Sequence, residues 1–232
     1  MTETARYGWT VLLPVKVLAQ AKSRLAQLAG ERRHELALAL ASDTVSAVVA
    51  CQEVARVIVV TSDPVAGSRL TALGAHVIPE PSAGARDEAA RPTPDGSQRP
   101  LNVALLHGAA VAAARWPGTG LAALTADLPA LRPAELAVAL RAAAVAAGPA
   151  FVPDAAGLGT TLYAVAPGRE FTPMYGGASR ARHAAGGAFE LALDGIAGLR
   201  QDVDTPDDLR AAVALGVGPR TAEVAAELLA DA

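Results

Sequence analysis

Three aspartates and a small group of cations are the residues of this sequence with the clearest chemical potential. Asp127 follows the apolar run Gly120-Leu-Ala-Ala-Leu-Thr-Ala and precedes Leu128-Pro129, while Asp202 and Asp204 alternate in Leu199-Arg-Gln-Asp202-Val-Asp204-Thr-Pro206. Carboxylates are hard oxygen donors, and two or three that converge suit Mg²⁺ shared with substrate phosphates. The only lysines, Lys16 and Lys22, stand with Arg24 just after the first apolar run. A first strand-to-helix loop is where α/β proteins hold phosphate, so this cluster is read as a phosphate-holding loop. Each feature also has a structural reading. Asp127 before Leu-Pro can be a turn former, Asp204 or Thr205 before Pro206 an ordinary helix cap, and the cationic loop a solvated face. Asp202 has no such alternative.

These side chains need elements to position them. Trp9 to Val15 reads as a first strand, and Glu31 to Val49 as an amphipathic helix with apolar Leu36, Leu40, Val45 and Val48. Asp43 and Thr44 lie inside that helix, where propensity alone disfavours them. Arg56 to Thr61 is a second buried strand, Ser62-Asp63-Pro64 caps a helix to about Leu73, and Ala75 to Ile78 is a third strand. The stretch 81–100, rich in Pro, Gly, Ser and charge, is expected to be a mobile loop. A helix follows from Leu101-Asn102 to Arg115, then a strand from Gly120 that emerges at Asp127, then a helix from Glu135 to Ala146. Short strands at 150–153, 157–165 and 198–204 suggest an antiparallel addition, the last running into Thr205-Pro206-Asp-Asp-Leu209 and a closing helix, with a C-terminal helix at 219–232. The alternation predicts an α/β three-layer sandwich with a mixed, mostly parallel sheet, in one domain over 1–232 with its core at about 9–215. Carboxyl ends of parallel strands collect ligands in such folds, which is where Asp127 falls.

Composition narrows the class. The chain has 232 residues, a net charge of -3, 52% hydrophobic residues and only 3% aromatic ones. No basic run suggests nucleic acid, and no apolar stretch or leader suggests a membrane, so a cytoplasmic protein is expected. A lone cysteine, Cys51, excludes an intramolecular disulfide and a thiolate-rich zinc site. Neither G-x-x-x-x-G-K-[ST] nor a G-x-G-x-x-G after the first strand occurs, which removes support for a P-loop NTPase or an ordinary dinucleotide-binding domain.

Taken in order, Pro14-Val-Lys16 with Ala21-Lys22-Ser-Arg24-Leu25, Pro100-Leu-Asn102, Ala126-Asp127-Leu-Pro129-Ala, Gly159-Thr160-Thr161, Gly176 to Ser179 followed by His183, and Leu199 to Pro206 resemble the guanylyltransferases of deazaflavin coenzyme (coenzyme F-420) biosynthesis. The resemblance runs from about Thr10 to Leu215. It implies a Rossmann-like, glycosyltransferase-A-type nucleotidyltransferase core that joins the guanylyl group of GTP to phosphoenolpyruvate or 2-phospho-L-lactate and releases pyrophosphate. The alanine- and arginine-rich, actinobacterial character of the composition favours phosphoenolpyruvate. By resemblance, Asp127, Asp202 and Asp204 hold Mg²⁺, with two ions expected. Lys16, Lys22, Arg24 and Asn102 contact the nucleotide, Lys16 and Asp127 act at the reacting phosphate, and Thr160, Gly176 and Ser179 receive the acceptor acid. A downstream deazaflavin-condensing transferase is an implied partner. A phosphate monoester is mostly dianionic at neutral pH, so the attack needs no general base and no catalytic histidine. His34, His76 and His107 read as structural, and His183 as a support of the glycine-rich loop. Two other readings stay open: a nucleotidyltransferase with a molybdopterin or sugar phosphate acceptor, and a non-catalytic nucleotide-binding protein.

Overall fold

The computed structural model describes residues 8–18, 25–81 and 100–230. Lys22, Arg24, the tail before Gly8 and nearly all of the 81–100 stretch lie outside the described residues. Seven strands form one sheet in the order β3-β2-β1-β4-β6-β5-β7. They are β1 (Trp9–Pro14), β2 (Val54–Val60), β3 (His76–Ile78), β4 (Gly120–Leu124), β5 (Ala150–Pro153), β6 (Thr160–Val165) and β7 (Phe189–Glu190). β1 pairs in parallel with β2 on one side and β4 on the other, and β2 in parallel with β3. β6 runs antiparallel to both β4 and β5, and β7 is parallel to β5, so β6 alone is reversed in a mostly parallel sheet. The antiparallel addition expected from the short strands is this β6.

Alternate residues of the central strand sort the core into layers. Val11 and Leu13 of β1 face α2 (Arg33–Val49), α3 (Pro64–Ala72) and α5 (Pro133–Val145), packing with Ala37, Ala41, Val45, Leu70 and Leu136. Leu12 faces the other way, onto Ala104, Leu105 and Ala109 of α4 (Pro100–Arg115) and onto Phe151, Tyr163 and Tyr175. Strands apolar on both faces are what a sheet covered by helices on both sides requires. The remaining helices are α1 (Ala26–Ala29), α6 (Ser179–Ala185), α7 (Ala197–Arg200), α8 (Pro206–Leu215) and α9 (Pro219–Ala230). The outward face of α2, with Leu36, Ala39 and Leu40, forms a third apolar cluster with Leu209 and Ala212 of α8 and Val224, Ala225 and Leu228 of α9. Each fully buried leucine there contributes about 2–3 kcal/mol. α2 is therefore clamped between the sheet and the C-terminal helices. No helix of the described residues is long and apolar enough to cross a membrane.

Two boundaries differ from the sequence reading. β4 ends at Leu124, and the N–H of Thr125 adds one last bond to the Thr161 carbonyl at 3.0 Å, so Asp127 stands in the loop beyond the strand. The expected strand at 198–204 is instead the short helix α7 followed by an irregular segment. Leu199 and Val203 are both buried and four residues apart, a spacing that serves one turn of helix as well as an alternating strand. Glu135 of α5 accepts the Leu199 N–H at 2.8 Å, and a Cβ on Gly198 would collide with the Ala130 carbonyl. Glycine is required at 198 for this close approach.

Candidate functional site

β1 connects to β2 on one side and β4 lies on its other side, so the chain leaves β1 and β4 at the point where the sheet order reverses. The loops after those two strands open a cleft of about 460 Å³. Its lining includes Lys16 from the first loop, Asp127 from the second, Thr160 from the start of β6, Gly176, Gly177 and Ser179 from the glycine-rich segment, and Asp202 with Asp204 from the segment after α7.

Each wall is fixed by named bonds. Asp63 caps α3, accepting from Val65 N and Ala66 N at 3.0 Å each, and its other oxygen accepts from Leu18 N at 2.9 Å. Burial pushes the Asp63 carboxyl up, but these N–H groups outweigh it and hold its pKa below the usual carboxylate value. The Lys16 loop is thereby tied to the end of β2, with the Lys16 side chain exposed in the cleft mouth.

The Asp127 loop is tied to α2 and to the segment after α7. Thr44, out of place on propensity, accepts the Leu128 N–H at 2.9 Å while donating to the Leu40 carbonyl at 2.8 Å. The Asp127 carbonyl accepts Val203 N–H at 3.1 Å, which sets the two acidic segments side by side. Arg200 anchors the second of them, donating to the carbonyls of Pro153 at 3.2 Å and Asp154 at 2.9 Å. The cap of α8 is Thr205 in a capping box with Asp208, so Asp204 is not the cap, and it lines the cleft.

The acceptor-side wall rests on β6. Asp154, which sequence reasoning missed, accepts Leu158 N–H at 2.9 Å and Gly159 N–H at 2.7 Å and lines the cleft. An Asp followed by Gly157 and Gly159 after an apolar strand was the available signal for such a turn. A Cβ at Gly159 would strike the Asp154 carboxylate, so this turn closes only around glycine. Thr125, also missed, lines the cleft with a buried hydroxyl that has no hydrogen-bond partner among the described residues. Gly176 and Gly177 take positive φ of 98° and 53°. Ser179 is the first residue of α6, whose N-cap is Ala178; it is 2% exposed and lines the cleft.

Asn102, expected at the nucleotide, is not among the cleft-lining residues. Its amide is engaged with Tyr175, accepting Tyr175 N–H at 2.9 Å and donating to the Tyr175 carbonyl at 3.3 Å. The Tyr175 hydroxyl donates to the Ala123 carbonyl of β4 at 2.9 Å, and burial drives its pKa well above the ordinary value. Asn102 and Tyr175 thus brace the glycine-rich segment against the sheet. His183 supports the same segment, its Nε2 accepting Met174 N–H and its Nδ1 meeting Thr160 Oγ1, both at 2.9 Å.

Among the described residues, the cleft lining carries one lysine, Lys16, and four carboxylates, those of Asp127, Asp154, Asp202 and Asp204. Such a wall repels a triphosphate unless cations intervene. The donor set is all hard oxygen, which fits Mg²⁺. Among the described residues, no three or more His, Cys, Asp or Glu are gathered closely enough to hold a metal ion as a group. Asp127, Asp202 and Asp204, expected from the sequence to hold Mg²⁺ together, are thus not gathered into one such group.

No family model matches the chain. Among solved structures, a nucleotidyl transferase from Methanothermobacter thermautotroptrophicus superposes with a TM-score of 0.59 over 90% of this chain and 97% of its own, at 19% identity. A 4-diphosphocytidyl-2C-methyl-D-erythritol synthase does so with a TM-score of 0.53 over 90% and 99%, at 14% identity. At these identities the likeness establishes the nucleotidyltransferase fold. Sequence relatives are much nearer. The phosphoenolpyruvate guanylyltransferase of Thermomonospora curvata is 56% identical over 97% of this chain and 91% of its own length, and that of Streptomyces coelicolor 56% identical over 95% and 97%. With more than half of all positions shared along almost the whole length, the chain belongs to the phosphoenolpyruvate guanylyltransferase family.

Proposed function

We infer that this protein transfers the guanylyl group of GTP to the phosphate of phosphoenolpyruvate and releases pyrophosphate. The observation that carries the reading is a cleft at the β1/β4 reversal that combines Lys16, three aspartates from two adjoining segments and a glycine-rich wall, in a chain of this family. In the reaction a phosphate oxygen of the acceptor bonds to the α-phosphorus of GTP, and the bond from that phosphorus to the β-phosphate bridging oxygen breaks. The acceptor phosphate is mostly dianionic at neutral pH, so no side chain has to remove a proton. What remains is positioning and charge neutralisation.

Lys16 supplies a mobile ammonium for charge that migrates toward the leaving pyrophosphate. Lys22 and Arg24 are assigned to the same triphosphate. Asp127, Asp202 and Asp204 would hold Mg²⁺, two ions by analogy with other phosphoryl-transfer sites, which when bound offsets charge on the phosphate oxygens. Thr160, Gly176 and Ser179 receive the acceptor, because an anion with a carboxylate and a phosphate is best met by hydroxyl and backbone N–H donors. Asn102 serves indirectly, by holding Tyr175 behind that wall. The product, a guanylylated three-carbon acid, is suited to condensation with a deazaflavin alcohol in coenzyme F-420 biosynthesis in the cytoplasm.

The test is direct. Protein incubated with GTP, Mg²⁺ and either phosphoenolpyruvate or 2-phospho-L-lactate should yield the guanylylated phosphoenolpyruvate by mass, one pyrophosphate per product, and none with Mg²⁺ chelated. Asp127→Asn should lower turnover on the order of a hundred-fold or more with the circular dichroism spectrum unchanged. Product from 2-phospho-L-lactate alone would replace the acceptor, and no product from either acid would overturn the reading.

A further inference from the structure

The surroundings of His183 constrain which of its nitrogens carries the proton. The imidazole is fully buried, stacked on Tyr163 with ring centroids 4.7 Å apart, tilted against Phe151 at 5.7 Å and met edge-on by Tyr175 at 5.4 Å. Nε2 faces the backbone N–H of Met174, a group that can only donate, so Nε2 must offer its lone pair. A neutral imidazole has one N–H, which is then on Nδ1. That N–H points at Thr160 Oγ1, 2.9 Å away, and the threonine oxygen is the acceptor of this bond. An imidazolium would set a proton on Nε2 against the Met174 N–H. Burial, and then the charge of adjacent Arg182, oppose that form as well. The tyrosines against the ring are themselves held neutral by burial.

A hydroxyl has one proton. With its oxygen accepting from His183, Thr160 has no acceptor on the imidazole for its own hydrogen, and Thr160 lines the cleft. We propose that His183 is a positioning residue that fixes the Thr160 hydroxyl as a hydrogen-bond donor toward an anionic group of the acceptor acid. This rests on the assignment of Thr160 to the acceptor given above. Without His183 the same hydroxyl could turn a lone pair to the anion, and the order imposed beforehand would have to be supplied on binding. The same imidazole, by accepting from Met174, also fixes the start of the segment that carries Gly176 and Gly177.

Two measurements test the proposal. On the ¹⁵N-labelled wild-type protein, the histidine resonances lost in His183→Gln should report an Nδ1–H tautomer that stays neutral between about pH 5 and 8 and is unchanged by phosphoenolpyruvate. An Nε2–H tautomer, or an imidazolium at neutral pH, overturns the proposal even if the variant folds poorly. In steady-state kinetics, Thr160→Val and His183→Gln should each raise KM for phosphoenolpyruvate by about ten-fold or more, as loss of one bond to a charged group does, with KM for GTP within about two-fold. The double variant should be no worse than Thr160→Val alone. Additive effects, or an equal rise in KM for GTP, would make His183 a packing residue only. A raised KM in Thr160→Val with His183→Gln silent overturns the proposal alone; an unchanged KM in Thr160→Val overturns the acceptor assignment and the proposal with it.

Discussion

Burial pushes the His183 pKa down to about 4, with Arg182 acting in the same direction. The unfolded chain takes up this proton near pH 6.5 and the folded protein only near 4, so the group's contribution to stability is whole above about pH 6.5 and is lost as pH falls toward 4. The full span is worth about 3 kcal/mol. Urea unfolding of the wild type at pH 7 and pH 5 should therefore show about 2 kcal/mol more loss on acidification than the same pair of measurements on His183→Gln, and equal losses would show that the ring is solvated. At this scale most of the charged residues lining the cleft were legible. Lys16, Asp127, Asp202 and Asp204 stand beside apolar runs, where a charge is conspicuous, and all four line the cleft. Asp154 and Thr125 were missed because a polar residue after a strand is ordinary, and what singles them out is what surrounds them in space. Asn102 was expected at the nucleotide from the resemblance alone, and its side chain braces Tyr175.

Helix α2 does more than cover the sheet. Thr44 holds the loop of Asp127 through Leu128 N–H, and Asp43 beside it accepts Thr221 N–H at 2.7 Å and pairs with the Arg220 guanidinium at 3.2 Å, at the start of α9. One turn of α2 thus fixes the acidic loop on one side and the C-terminal helix on the other. Thr44→Val keeps the shape of the side chain but leaves a buried N–H unsatisfied. It should cost about 1–3 kcal/mol by chemical denaturation and lower turnover more than GTP affinity. Stability equal to wild type would mean that another group takes the bond. Strands and helices were readable from apolar runs and from Pro and Gly punctuation, and the predicted ends of α2, α3 and α4 lie within a few residues of those observed. The 198–204 segment was not, because two buried residues four apart fit both periods, and the contacts that decide between them, with Ala130 and Glu135, are remote in sequence.

At the scale of the molecule, one reversed strand divides the labour of the cleft. Lys16 and Asp127 follow the carboxyl ends of parallel strands, whereas Thr160 opens β6, whose reversal brings its beginning to the same edge. The parallel half was expected from strand–helix alternation; the position of β6 between β4 and β5 depends on pairing that no local pattern encodes. The placement of Asp43 has a further consequence, for the order in which the protein can be made. Its side chain is 1% exposed, and its partners Arg220 and Thr221 lie 177 and 178 residues later. A buried carboxylate deprived of its partners is strongly destabilising, by about 3–5 kcal/mol. A chain shortened to end at residue 217 should therefore be cleaved rapidly by thermolysin and lack a cooperative unfolding transition, while resistance like that of the full chain would contradict this. On the ribosome the nascent protein would then wait, with most of its strands already outside and α2 still loose, until α9 emerges to neutralise Asp43 and hold α2 in place.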